Sequence, residues 1–141
     1  MEIKISRSQK QKIKKVAEKN GVLFAVVFGS AAKNQKRPES DLDIAVLTRK
    51  KPSYQLFKNL FSDFSEVFKG ENVDLRFLNG ADPFFRFQVV KNGQLLYGNQ
   101  NQYQEYFTYA YKSFIDDAQP LLELQRKLIY QKQRKLEKAV L

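Results

Sequence analysis

The 141-residue sequence carries a net charge of +10 and contains neither Cys nor His. A chain of this length forms one domain with a core, and it is too short for a catalytic domain joined to a separate nucleic-acid-binding domain. Without Cys or His there is no disulfide, zinc site, Cys nucleophile or His general base, so carboxylates must perform any acid–base chemistry. No apolar run approaches the roughly 20 residues that cross a bilayer, and the N-terminus lacks a signal-peptide core, so we expect a cytoplasmic protein.

A helix and a buried strand are predicted at the start of the chain. Ser8 can cap a helix that runs to about Lys19, because apolar residues recur there at helical spacing and Gly21 can end it. The apolar run from Val22 to Phe28 follows directly. Its length and its β-branched and aromatic content are those of a buried strand.

The predicted strand ends at Gly29-Ser30, a pair suited to binding phosphate. Glycine allows a sharp turn and a close approach of the backbone to a ligand. If residues 30–36 begin a helix, Ser30 is its N-cap, and the free amides and dipole of that terminus favour an anion. By itself, a Gly-Ser pair after a strand is more often a simple loop.

Two carboxylates follow at the start of a second predicted strand, which runs from Asp41 to Leu47. Side chains alternate along a strand, so Asp41 and Asp43 project from one face with their Cα atoms roughly 6.6 Å apart. Both carboxylates are expected to face the turn at Gly29. An Asp-x-Asp with no further functional signal near it is usually solvated.

A third carboxylate is predicted on a later strand. A helix over residues 53–69, with one apolar side, leads to a strand over residues 73–78. Asp74 lies on the face of that strand opposite its apolar side chains. Asp82 then caps a helix to about Lys91, with a proline in its first turn, and residues 95–97 form a short final strand.

These three acids predict a metal site if the strand of Asp74 pairs beside the strand of Asp41 and Asp43. Two carboxylates about 4 Å apart repel by roughly 4 kcal/mol at an effective dielectric constant near 20, so the cluster is costly without a divalent cation. Ligation by oxygen alone favours Mg²⁺ or Mn²⁺. The conjunction of turn and acids, correctly spaced, favours a functional interpretation over solvated loops.

The alternating elements predict an α/β fold in which a small mixed sheet is flanked by helices. Residues 1–98 would form the core and residues 99–141 a C-terminal helical extension, within a single domain. Pro120 breaks or restarts the last helical segment. Apolar residues recur there at helical spacing, and this stripe either packs on the protein's own sheet or docks a helical partner. The stripe comprises Tyr103, Tyr106, Phe107, Ala110, Phe114 and Ile115, then Leu121, Leu124, Leu128 and Ile129.

The positive charge is concentrated at the two ends of the chain. Residues 3–19 carry seven Lys or Arg against one Glu, and residues 126–141 carry six against one. Such ends suggest an acidic macromolecular partner, either RNA or protein. The alternative is two solvated helix faces.

The spacing of these motifs resembles that of a known family. Gly29-Ser30, ten intervening residues, Asp41-Leu42-Asp43 and the later Asp74 resemble the signature of the DNA polymerase beta nucleotidyltransferase superfamily, specifically its minimal MNT branch. Residues 87–97 are similar to the helix, turn and short strand that follow the third acid in MNT proteins. The resemblance covers about residues 10–98 and implies the nucleotidyltransferase fold.

The resemblance also implies a metal-dependent enzyme with ATP as its donor substrate. Asp41, Asp43 and Asp74 would be the catalytic residues and would hold two Mg²⁺ or Mn²⁺ ions. Asp74 would help to remove the proton of the attacking hydroxyl. For two of the nucleotide-binding candidates, Lys33 and Arg37, a solvated loop charge is the alternative. The candidates are Gly29, Ser30, Lys33, Arg37 and Ser40.

Small MNT proteins act as antitoxins beside HEPN-domain RNase toxins. The resemblance therefore implies transfer of AMP from ATP to a tyrosine of such a toxin, within a hetero-oligomer. A membrane is not expected as a partner, and a nucleic acid is not expected as the direct substrate. One alternative is a non-enzymatic antitoxin, against which the three intact acids argue. Another is transfer to a small molecule or tRNA, for which the sequence offers no visible acceptor site.

Overall fold

The computed structural model describes residues 4–29 and 41–140 of the chain. Within these ranges it contains four strands and five α-helices, and a π-helical turn separates the last two helices. In chain order they are α1 (Arg7–Asn20), β1 (Val22–Phe28), β2 (Leu42–Thr48), α2 (Tyr54–Val67), β3 (Val73–Phe77), α3 (Pro83–Asn92), β4 (Gln94–Gly98), α4 (Gln100–Ser113), the π-helical turn (Phe114–Ala118) and α5 (Gln119–Val140).

The four strands form one mixed sheet in the order β3-β2-β1-β4. β1 runs antiparallel to both β2 and β4, whereas β2 and β3 are parallel. Two parallel neighbours begin at the same edge of a sheet, so the first residues of β2 and β3 lie side by side. The predicted fold class, a small mixed sheet flanked by helices, is confirmed.

Helices cover both faces of the sheet. α1 and α2 pack on one face, and α3 and α4 pack on the other, because successive side chains of a strand point to opposite faces. In β2, Leu42 and Ile44 are buried in the first cluster and Ala45 in the second. Asp43 alternates with Leu42 and Ile44, so it lies on the face that α3 and α4 cover.

The start of α1 differs from the prediction. Ser6, and not Ser8, is the N-cap: its hydroxyl accepts a hydrogen bond from the Gln9 amide at 3.1 Å. The Gln9 side-chain carbonyl accepts one in return from the Ser6 amide at 3.0 Å, which completes a capping box. The local sequence does not distinguish the two serines, because each is followed three positions later by a glutamine that could complete a capping box, Gln9 for Ser6 and Gln11 for Ser8.

This cap assignment gives a test of stability. Ser6→Ala is expected to lower the free energy of unfolding by about 1 kcal/mol, because the Gln9 amide loses its hydroxyl acceptor. Ser8→Ala serves as the matched control and is expected to change it by less than about 0.5 kcal/mol, since an exposed position away from a cap contributes little. Urea denaturation of the three proteins measures both values. Equal losses in the two variants would contradict the assignment.

The C-terminal stripe divides into a covered and an uncovered part. In α4, Tyr103 and Ala110 are buried, and the ring of Tyr103 meets that of Phe24 edge-on at 5.6 Å between centroids. The π-helical turn interrupts the helix just before Pro120, as expected of a proline, which has no amide for the helical hydrogen bonds. Beyond that point the apolar side chains are exposed. In the described part of the chain, no helix is sufficiently long and apolar to cross a membrane.

Candidate active site

Two of the predicted acids lie side by side at the edge where β2 and β3 begin. Asp43 and Asp74 are register partners across the parallel pair, and their carboxyl groups are within hydrogen-bonding distance. Asp41 immediately precedes β2 and is exposed, and its Oδ1 accepts a 2.6 Å hydrogen bond from the Asn72 side-chain amide. The structure thus joins Asp43 to Asp74 directly, and Asp41 stands at the rim.

Gly29 closes the other side of this acidic edge. It follows β1, whose last residue, Phe28, is paired with Asp43 across the antiparallel ladder. Its φ of 73° lies in the left-handed region that favours glycine, and a Cβ at this position would overlap the Asp43 carboxylate. The backbone of the turn therefore runs directly against the carboxylate, an approach that other residue types would prevent.

Burial and mutual repulsion raise the pKa of Asp43. Desolvation is the largest cause, followed by the charge of Asp74, the hydrogen bond with Asp74 and the charge of Asp41; only the positive charge of Arg76 opposes them. The carboxylate cluster is thus less favourable in its fully ionised form than separate carboxylates would be. A bound cation would remove that penalty.

Arg76 has a defined place beside the acids. Its Nε lies 3.8 Å from Asp74 Oδ2, and its guanidinium lies 5.5 Å from the centre of the Phe85 ring. Phe85 in turn meets Phe28 edge-on at 5.7 Å. Arg76 thus pairs with Asp74 and also lies over an aromatic ring. Our sequence reasoning missed this aromatic pair, although alternation along β1 would have placed Phe28 on the face of the acids.

The donor set suits a hard divalent cation, but it is not gathered into a three-acid site. Across residues 4–29 and 41–140, no three acidic side chains are already arranged to hold a metal ion. Asp43 and Asp74 provide adjacent carboxylate oxygens whose repulsion a cation would relieve. Asp41 holds Asn72 through Oδ1, so Oδ2 is the oxygen that it would offer to a shared cation. Convergence of all three carboxylates stays a prediction.

Comparison with known proteins identifies the family. Residues 11–102 match the family model described as polymerase beta, nucleotidyltransferase. The chain belongs to this nucleotidyltransferase family. No curated protein is similar enough to the chain to count as a relative.

Several solved structures have the same fold as this nucleotidyltransferase. A chain from a crystal structure of a toxin–antitoxin with AMP-PNP is 24% identical, with a TM-score of 0.68 over 87% of this chain and 96% of the other. A chain from the structure of a tri-AMPylated Shewanella oneidensis HEPN toxin with its MNT antitoxin is 22% identical, with a TM-score of 0.64 over 91% and 98%. A chain from the toxin–antitoxin MntA-HepT is 22% identical, with a TM-score of 0.63 over 90% and 97%. The predicted MNT-like fold is confirmed.

Four of the predicted nucleotide-binding residues fall in the segment between Gly29 and Asp41. This segment of the nucleotidyltransferase lies outside the described residues. The roles of these residues therefore stay predictions. They are Ser30, Lys33, Arg37 and Ser40.

The raised pKa of Asp43 predicts how the metal-free nucleotidyltransferase responds to pH. The pKa of this carboxyl is higher in the folded protein than its ordinary value of 3.8. Such a group contributes fully to the stability of the fold at pH values below 3.8. That contribution is lost as the pH rises through the pKa of the folded state. Asp43→Asn removes the ionisation. The variant is therefore expected to be more stable than the wild type at about pH 7.5, by on the order of 1 kcal/mol or less because water screens a partly exposed cluster.

The test is urea denaturation with a chelator present, at several values between about pH 4 and pH 7.5. The gain in the free energy of unfolding should shrink toward the acidic end, because Asp43 of the wild type becomes increasingly protonated there while the Asn side chain stays uncharged. Asp116→Asn, at an exposed carboxylate in the π-helical turn, is the matched control and should show no such gain. A variant less stable than the wild type at about pH 7.5 would refute this electrostatic description.

Proposed function

We propose that this nucleotidyltransferase transfers AMP from ATP to a tyrosine hydroxyl of a HEPN-domain RNase and thereby silences it. One observation carries the proposal: Asp43 and Asp74 adjoin across parallel strands, with the Gly29 turn packed against them. This arrangement offers carboxylate oxygens and an unobstructed backbone at one edge of the sheet. Nucleotidyl transfer by a family member needs both.

The residues of the candidate site would have different roles in the reaction. Asp43 and Asp74, joined by Asp41, would hold Mg²⁺ or Mn²⁺. When bound, the cation would balance the carboxylate charges and polarise the α-phosphorus. The Gly29 turn would let backbone amides approach the triphosphate closely.

The acceptor step needs a base beside the hydroxyl. A tyrosine hydroxyl has a reference pKa of about 10, so it must lose its proton as it attacks. The Asp74 side chain is 37% exposed and can take that proton. A bond forms between the tyrosine oxygen and the α-phosphorus, the bond from that phosphorus to the bridging oxygen breaks, and pyrophosphate leaves with the electron pair.

A protein acceptor is supported by the size of the chain and by its structural neighbours. A domain of 141 residues leaves little room for a second substrate site, whereas a docked protein can bring its own hydroxyl to the open edge of the sheet. The similar structures include an AMPylated HEPN toxin with an MNT antitoxin. A hetero-oligomer with such a toxin is therefore part of the proposal.

Intact-mass spectrometry of the partner tests the reaction. A mixture of this chain, a purified HEPN RNase, ATP and Mg²⁺ is expected to raise the mass of the RNase by one or more AMP units and to abolish RNA cleavage. The matched control is Asp41→Ala/Asp43→Ala, which should leave both mass and cleavage unchanged. Equal inhibition by the two proteins, with no increase in mass, would replace the enzymatic proposal with inhibition by binding alone.

A further inference from the structure

Helix α5 is left uncovered in the described structure. Every side chain from Pro120 to Ala139 is exposed, and neither hydrophobic cluster contains a residue of this helix. Among the described elements, its extensive contacts are with the π-helical turn before it. Its 22 residues extend for about 33 Å at 1.5 Å per residue.

This exposed helix has a continuous apolar face. At about 100° per residue, six large aliphatic side chains fall within roughly 160° of its circumference. Their exposed fractions range from 37% to 63%. In a globular protein such a stripe normally faces a core, so its exposure here indicates a binding surface. These six residues, the α5 face, are Leu121, Leu122, Leu124, Leu128, Ile129 and Leu136.

Charge restricts what can cover the α5 face. The helix carries six Lys or Arg and two Glu, and both Lys132 and Lys135 lie within the angular range of the apolar stripe. A surface that packs here must therefore be apolar and must also present carboxylates. A second copy of the chain would supply an apolar stripe but not the carboxylates, because it would bring the same lysines and a net charge of +10 to the same seam.

Helix α3 contacts both the base of α5 and the residues around the acidic edge. Phe114, in the π-helical turn, stacks on Phe87 of α3 at 4.5 Å between ring centroids with an interplanar angle of 12°. The same helix supplies Phe85, which contacts Phe28 and lies under Arg76 beside Asp74. α3 therefore connects the anchored end of α5 with the candidate active site. A protein bound along α5 would have one end next to that site.

We infer that the α5 face docks a helical protein through an apolar groove whose rim carries Asp or Glu side chains. Binding of an amphipathic helix in a groove is a common mode of recognition, and here the anchors are aliphatic and the flanking charges basic. The docked protein is the one that receives AMP, which rests on the proposed function. Helix α5 thus selects the acceptor protein, and the site at Asp43 and Asp74 transfers AMP to it.

Substitutions on opposite sides of α5 test the surface. Leu124→Glu/Leu128→Glu is expected to weaken binding of the purified HEPN RNase about 100-fold or more, because two side chains that the complex would bury become charged. Tyr130→Glu is the matched control: Tyr130 is 59% exposed but lies on the opposite side of the helix, with Arg134 against its ring. Its affinity should stay within about 3-fold of the wild type. Calorimetry gives the affinities, and circular dichroism should show intact helices in both variants.

A second pair of variants tests the charge of the groove. Lys132→Glu/Lys135→Glu reverses the two lysines within the apolar stripe and should weaken binding about 10-fold or more. Lys127→Glu/Lys138→Glu changes the net charge equally on the other side of the helix and should have a much smaller effect. Equal losses in the two pairs would mean that general charge attraction, and not the α5 face, determines binding.

The outcomes separate this inference from the proposed function. Loss of RNase binding in Leu124→Glu/Leu128→Glu supports the docking surface even if the wild type adds no AMP. Unchanged binding in that variant, with AMP still added, overturns the docking surface and leaves the enzymatic proposal standing. Self-association of the wild type, or its binding to an RNA oligonucleotide or to anionic vesicles, would also overturn the inference if the same leucine substitutions abolish it.

Discussion

Asp43→Asn is expected to abolish the thermal stabilisation that Mg²⁺ and a non-hydrolysable ATP analogue give to the wild type. A ligand that binds only the folded protein stabilises it by about 2.7 kcal/mol at 100 times its dissociation constant. The Asn side chain lacks the charge that Asp43 contributes beside Asp74, so the cation and the nucleotide should no longer be retained. The measurement is a thermal melt with and without the two ligands.

The control for this experiment is a carboxylate far from the sheet edge. Asp116→Asn makes the same chemical change in the exposed π-helical turn and should keep the full ligand-induced shift. Because Asp43→Asn is also expected to raise the stability of the metal-free protein, a lost response cannot be attributed to unfolding. If Asp43→Asn retains the wild-type shift, the proposed cation site is wrong.

Gly29→Ala is expected to reduce AMP transfer by at least about 100-fold, because displacement of the reacting groups by only 1 Å can cost that much in rate. The added methyl group would overlap the Asp43 carboxylate and push apart the turn and the acid. Both the positive φ of 73° and the overlap contribute to the effect. Transfer is measured as the rate of mass gain of the HEPN partner.

Gly21 provides a matched control because it separates these two contributions. Its φ is 66°, similar to that of Gly29, but a Cβ there would meet no heavy atom within 4 Å. Gly21→Ala should therefore cost about 1–2 kcal/mol of stability from the left-handed conformation alone and leave transfer nearly unchanged below the melting temperature. Comparable losses of transfer in the two variants would show that backbone strain, and not contact with Asp43, explains the Gly29 result.

Much of the fold follows from local patterns in the sequence. The β1 run from Val22 to Phe28 is predicted and observed over the same residues, because its length and its β-branched and aromatic content are typical of a buried strand. The cap at Asp82 is where it was predicted, with Pro83 in the first turn of the helix. Alternation along β3 placed Asp74 opposite its apolar side chains, and the buried Val73 and Leu75 confirm that assignment.

The candidate site could be predicted only in part. Periodicity identifies which face of a strand an acid occupies, but the pairing of β2 with β3 brings together residues 31 positions apart, and only the folded sheet decides it. The hydrogen bond from Asn72 to Asp41 has the same origin. The position of Arg76 over Phe85 is likewise decided only by the folded structure, because those two residues come from different elements.

The sequence by itself determined the elements, their faces and the spacing of Gly29 with the three acids, since these depend on local conformation and side-chain alternation. The tertiary structure decided which acids adjoin, and that α4 is covered while α5 is not. Both helices contain apolar residues at helical spacing, so no local property distinguishes them. Burial depends on whether a complementary surface lies opposite, and within the described chain the sheet provides one for Tyr103 and Ala110 but none for Leu124 and Leu128.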